Sequence, residues 1–108
     1  MSDYVKIGTM QNLDELLKNP VVLLDIWAPW CGWCMRISPI IDQVAEEMKD
    51  KATIVKMNYD KNPEIEKRFE FMTIPALFFI KNGEVIKHTG TIPKEEILAT
   101  LKEMIKFK

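Results

Sequence analysis

The sequence predicts an α/β fold, a central mixed sheet of five strands flanked by four helices in the order βαβαβαββα. Three observations carry this expectation. Short apolar runs rich in β-branched and aromatic residues alternate with stretches whose apolar residues recur at helical spacing. Helical crossovers between the early strands make them parallel, because parallel neighbours need a long connection. Asn82-Gly83, between the last two strand-like runs, reads as a two-residue hairpin turn that reverses the final strand.

In chain order, Tyr4 to Ile7 forms a short first strand. Gly8 and Thr9 follow, and Thr9 caps a helix carrying Leu13, Leu16 and Leu17. Asn19-Pro20 ends that helix. Val21 to Trp27 is a buried strand interrupted by one carboxylate, Asp25, which is costly there unless something uses it. Ala28-Pro29-Trp30 leads into Cys31 and Cys34, the only two cysteines, at the opening turn of a helix. Ile37, Ile40, Ile41, Val44, Ala45 and Met48 line one face of that helix, and Pro39 inside it should introduce a kink. Ala52 to Asn58 is the next strand, and Pro63 opens a short helix bearing Ile65 and Phe69. Ile74-Pro75 precedes the strongly apolar strand Ala76 to Ile80. Glu84 to His88 returns antiparallel, and a last helix after Pro93 buries Ile97, Leu98, Leu101, Met104 and Ile105. There is no internal repeat and no low-complexity segment.

A chain of 108 residues fits a single domain over 1–108 with one apolar core. Its 15 basic and 16 acidic residues nearly cancel, so no field of one sign exists to hold nucleic acid or an anionic membrane surface. No apolar run approaches the length of a membrane span. The start, Met-Ser-Asp-Tyr-Val-Lys, lacks the apolar core of a signal peptide. The expected compartment is the cytoplasm, where thiols are kept reduced, and the expected state is a monomer.

The Cys-X-X-Cys spacing of Cys31 and Cys34 is a dithiol redox signature. A disulfide closing so short a loop stabilises by only roughly 2 kcal/mol, so it is a poor staple. As a switch it is well placed, because a helix N-terminus offers free amides and a positive dipole end to the Cys31 thiolate. Lowering a thiol pKa from about 8.5 to about 7, the general magnitude for such dithiols and not a value read from this chain, raises the thiolate fraction near neutrality roughly 15-fold. A Brønsted slope of about 0.4 to 0.5 gives back roughly 5-fold in nucleophilicity. The larger gain therefore comes from Cys34, held where it attacks the mixed disulfide at high effective concentration. A buried Cys34 needs a base, and Asp25, its own pKa raised by desolvation, is the candidate. Strand pairing puts Lys56 beside it as the nearest opposite charge.

Asp-Ile-Trp-Ala-Pro-Trp-Cys-Gly-Trp-Cys, followed downstream by Thr-Ile-Pro and then Lys-Asn-Gly-Glu, resembles the thioredoxin family over nearly the whole chain. The resemblance implies the thioredoxin fold, helices on both faces of the sheet, and reversible dithiol-disulfide exchange with protein substrates. Cys31 is then the attacking thiol and Cys34 the resolving one, Asp25 matches the family's buried acid and Lys56 its neighbour. Pro75 matches a proline whose preceding peptide is cis, against the general trans preference of X-Pro bonds. That turn leaves the Ile74 backbone free to pair with an extended client segment. Trp30, Gly32, Trp33, Tyr59, Ile74 and Gly90 form the substrate-binding rim. The implied partners are a thioredoxin reductase, which passes on electrons from NADPH, and disulfide-containing clients. No cofactor is bound.

One position departs from the pattern: Trp33 stands where the family usually has proline. It removes the ring that stiffens the turn and adds apolar surface without charge, unlike the histidine of more oxidising relatives. A potential on the reducing side is expected, with altered partner choice. Other readings weigh less. Zinc needs four ligands, and beyond the two cysteines there is only His88, on a solvent-facing strand position. Trp27 reads as core, Trp30 and Trp33 as exposed, and the methionines as core filling. A disulfide oxidant or isomerase, and a binding subunit in which the thiols are incidental, are the alternative functions.

Overall fold

The alternation along the strands sorts the apolar residues into two layers. A computed structural model describes residues 2–106, so the ends of the expected domain, 1 and 107–108, lie outside it. In order come β1 (Val5–Ile7), α1 (Leu13–Leu16), β2 (Val21–Trp27), α2 (Gly32–Glu47), β3 (Thr53–Asn58), β4 (Ala76–Lys81), β5 (Glu84–Thr89) and α3 (Lys94–Lys106). The sheet order is β1-β3-β2-β4-β5. β1, β3 and β2 run parallel, and β4 and β5 are antiparallel. Between β4 and β5, Asn82 and Gly83 both take positive φ, 50° and 84°, which is what a hairpin turn twisted like the strands requires.

β2 lies in the middle, and consecutive residues point to opposite faces. Val21 and Leu23 pack with Ile37, Ile41 and Val44 of α2 and with Ile97 and Leu101 of α3. Val22, Leu24 and Ile26 pack on the other side with Leu13, Ile65 and Phe69. Asp25, two residues on from Leu23, therefore lies on the α2 side. α2 continues through Pro39 without interruption.

Among the described residues three α-helices form, and the sequence reading of four needs correction. The segment opening at Pro63 is a 3₁₀ helix, Pro63–Lys67. Its start has no side-chain cap. Asn62 has φ −135° and makes no capping bond, because its side chain accepts from Met10 N and donates to Asn58 O. 3₁₀ geometry serves such short pieces, and the Arg68 amide closes the segment on Ile65 O. The expected Ile65 and Phe69 are nonetheless buried. The first helix is also shorter than its cap suggests: Thr9 and Asn12 bond reciprocally through side chain and backbone, and regular α geometry begins only at Leu13.

Ile41 is fully buried where α2 meets the sheet. Ile41→Ala is expected to cost about 2–5 kcal/mol in urea unfolding; a loss under about 1 kcal/mol would mean that α2 is not held there.

Candidate active site

Cys31 and Cys34 are joined as a disulfide, Cα to Cα 5.2 Å, where β2 has delivered the chain to the start of α2. Cys31 is the N-cap residue, in extended conformation, and its sulfur accepts from Cys34 N at 3.1 Å. Exposure separates the two sulfurs: Cys31 is 8 % exposed and Cys34 2 %. Ala28, Trp27 and Ile74 pack around them. The Ile74–Pro75 peptide is cis, as the resemblance implies, and Ile74 O lies 3.6 Å from Cys31 Sγ. A thiol donates across that contact, and a disulfide sulfur does not.

Asp25 is 1 % exposed, and neither carboxyl oxygen has a hydrogen-bond partner among the described residues. Burial pushes its pKa from 3.8 up to about 7, against a smaller downward pull from Lys56. Lys56 is its register partner on β3 and is itself buried, unlike an ordinary strand-end lysine. Its Nζ donates to Ser38 Oγ at 2.6 Å and lies 5.0 Å from the centre of the Trp27 ring. Since Ser38 is about one turn beyond Cys34, that bond places the first turns of α2 over the Asp25 level of the sheet. Trp27 is half-buried.

The expected rim residues fall into two shallow hollows that meet at Thr73 and Ile74. One is lined by Trp30, Tyr59, Phe71, Met72 and Glu66 as well, the other by Trp33, Pro75, Gly90 and Thr91. Trp30 and Trp33 are largely exposed, at 67 % and 59 %. Trp30 Nε1 donates to Asp60 Oδ1. The Tyr59 hydroxyl donates to Glu66, whose carboxylate holds the phenol above its ordinary range. Gly32, at the first turn of α2, has open space where a Cβ would stand. His88 is exposed and stacks on Phe78.

Several participants were absent from the sequence reading. Arg36 places its guanidinium 4.9 Å from the Trp33 ring centre, so the apolar surface that Trp33 adds carries a positive charge after all. Its i, i+3 spacing on a helix was the available signal. Met72 is 99 % exposed beside Thr73. Asp60 and Ser38 gave no signal, since each depends on which strand or helix face meets it. Among the described residues no group of three or more His, Cys, Asp or Glu could hold a metal ion, and no helix is long and apolar enough to cross a membrane.

The family model for thioredoxin matches residues 4–103. A thioredoxin of Staphylococcus haemolyticus is 40% identical over 94 residues, covering 86% of this chain and 90% of that one. A thioredoxin of Bacillus subtilis is 41% identical over 91 residues, covering 83% and 88%. In fold, the chain superimposes on a mutant thioredoxin from Halobacterium salinarum with a TM-score of 0.88 at 21% identity, covering 100% of this chain and 97% of the other.

A carboxyl that titrates near 7 in the folded chain and near 3.8 unfolded favours folding only while protonated. Its contribution is complete below about pH 4 and is lost as pH rises to about 7, a difference of at most about 4 kcal/mol. Asp25→Asn should therefore leave stability nearly unchanged at pH 4 and raise it increasingly up to about pH 7, with a plateau above. Urea unfolding across that range is the measurement, and a pH-independent difference would contradict the assignment.

Proposed function

The chain belongs to the thioredoxin family and is a dithiol-disulfide oxidoreductase that reduces protein disulfides; on that footing we propose which residues carry each step. The observation that supports the assignment best is the asymmetry of the pair. Cys31 is the more exposed sulfur, caps α2 and faces the Ile74 carbonyl. Cys34 is sealed beneath it.

In the reduced protein the Cys34 amide and the positive end of α2 favour the Cys31 thiolate. That thiolate attacks one sulfur of a client disulfide. The client S–S bond breaks, one client cysteine leaves as thiolate, and Cys31 is joined to the other as a mixed disulfide. Asp25 takes the proton of Cys34, whose thiolate then attacks Cys31 Sγ. The mixed disulfide breaks, the second client thiolate is released, and the Cys31–Cys34 bond forms. Two electrons have passed to the client, and Asp25 keeps the proton until reduction returns it.

Docking is by short strand addition, an extended client segment pairing with the Ile74 backbone while its side chains enter the hollows beside Trp30 and Trp33. Trp33 and Arg36 together favour clients that present an apolar or acidic residue on that side. Trp33 leaves the potential on the reducing side, below about −200 mV against glutathione. The chain acts as one domain over 1–108, as a cytoplasmic monomer, without bound cofactor. It is recharged by a thioredoxin reductase that draws on NADPH.

Cys34→Ser is expected to accumulate mixed disulfides with client proteins, visible on non-reducing gels and removed by dithiothreitol. Cys31→Ser should form none, and the reverse pattern would exchange the two roles. With NADPH and a thioredoxin reductase, the unsubstituted chain should reduce insulin disulfides. Failure with that donor, alongside activity with dithiothreitol, would require a different electron supply.

A further inference from the structure

Lys56 is a buried cation that leaves the buried acid beside it unpaired. Asp25 and Lys56 are register neighbours on one face of the sheet, and both are withdrawn from solvent. In a layer of low dielectric, opposite charges so placed attract strongly and close into an ion pair. Yet both Asp25 oxygens lack a hydrogen-bond partner among the described residues. The Lys56 ammonium turns instead to Ser38 Oγ, 2.6 Å away, and to the Trp27 ring face. Ser38 sits on α2, half-buried, so the rigid helix rather than a mobile side chain decides where the ammonium rests.

We propose that Ser38 is a positioning residue for the resolving step: its hydroxyl tethers the Lys56 ammonium away from Asp25, so the carboxyl stays unpaired and able to take the Cys34 proton. The inference rests on the reading of Asp25 as proton acceptor. A carboxylate clamped by a charge-assisted bond to lysine is a weaker base, and the tether prevents that while keeping the buried ammonium satisfied. The surroundings leave few other groups to set the balance. β3 contributes Lys56, and α2 contributes Cys34 and, one turn past Ser38, Asp42, whose Oδ1 is buried without a partner. β4 presents Leu77 and Phe79 to this layer, and α3 presents Ile97, Leu101 and Met104.

The test is a carboxyl carbon-13 NMR titration of Asp25 in the full oxidised chain, together with the pH profile of insulin reduction. In Ser38→Ala the released ammonium closes on the carboxylate, and the Asp25 midpoint should fall by about half a pH unit or more. The acid limb of the turnover profile should move with it. Ser38→Thr, which keeps the hydroxyl, should restore both. In a Lys56→Met background Ser38→Ala should move neither. An unmoved or raised midpoint in Ser38→Ala, or the same fall without Lys56, would overturn the tether. Full turnover in Asp25→Asn would overturn the role given to the carboxyl, and with it the purpose of the tether, whatever the midpoint shows.

Discussion

A carboxyl group buried in the central strand with no hydrogen-bond partner is the constraint on which the arrangement turns. Asp25 occupies the one β2 position facing α2 that is neither apolar nor paired, and burying such a group is costly. The sheet tolerates it because its neighbours hold it from both sides. Leu77 and Lys56 are its register partners, and the first turns of α2 lie above. Asp25 thus faces the helix whose first turn holds Cys34 turned inward. Burial lifts the carboxyl's pKa to about 7, which costs stability near neutrality.

The two sulfurs are differentiated by position rather than by sequence neighbours. Cys31 ends an extended segment and caps a helix, which places its sulfur against the Cys34 amide, with 8 % of the residue exposed. Cys34 is already inside that helix and turned inward. Ile74, brought by the segment before β4, closes the other side with its carbonyl toward Cys31. The rim beyond carries charge unevenly. Arg36 lies over Trp33, while Asp60 and Glu66 engage Trp30 and Tyr59. A cationic edge therefore lies on one side of Cys31 and carboxylates on the other.

The dithiol, the buried acid and the alternating elements were legible in the sequence because each follows from local spacing or from one anomalous residue in an apolar run. The βαβ order and the Asn82-Gly83 turn carried the sheet in the same way. The fourth helix failed because Ile65 and Phe69, four apart, fit an α turn and the Phe69 amide does bond Ile65 O, while the regular segment is 3₁₀ and ends at Lys67. Asn62 before it bonds through its side chain to Asn58 and to Met10, and the second partner lies far from local spacing. The cis peptide at Pro75 came from the family resemblance, since spacing alone favours trans. Ser38 was illegible for a different reason. A serine inside a helix ordinarily faces water or its own backbone, and only the rotation of α2 against β3 shows that it meets a lysine.

The central claim is that Asp25 accepts the Cys34 proton when the mixed disulfide is resolved. Its most direct test is the single-turnover rate of that step, followed from a preformed Cys31 mixed disulfide across pH 5 to 9 in the natural chain and in Asp25→Asn. The rate in the natural chain should rise through a midpoint near the Asp25 titration. Asp25→Asn should be slower by roughly 10²-fold or more near neutrality, the usual worth of a positioned base, and should recover only as hydroxide replaces it. Equal rates with the same pH dependence would contradict the account.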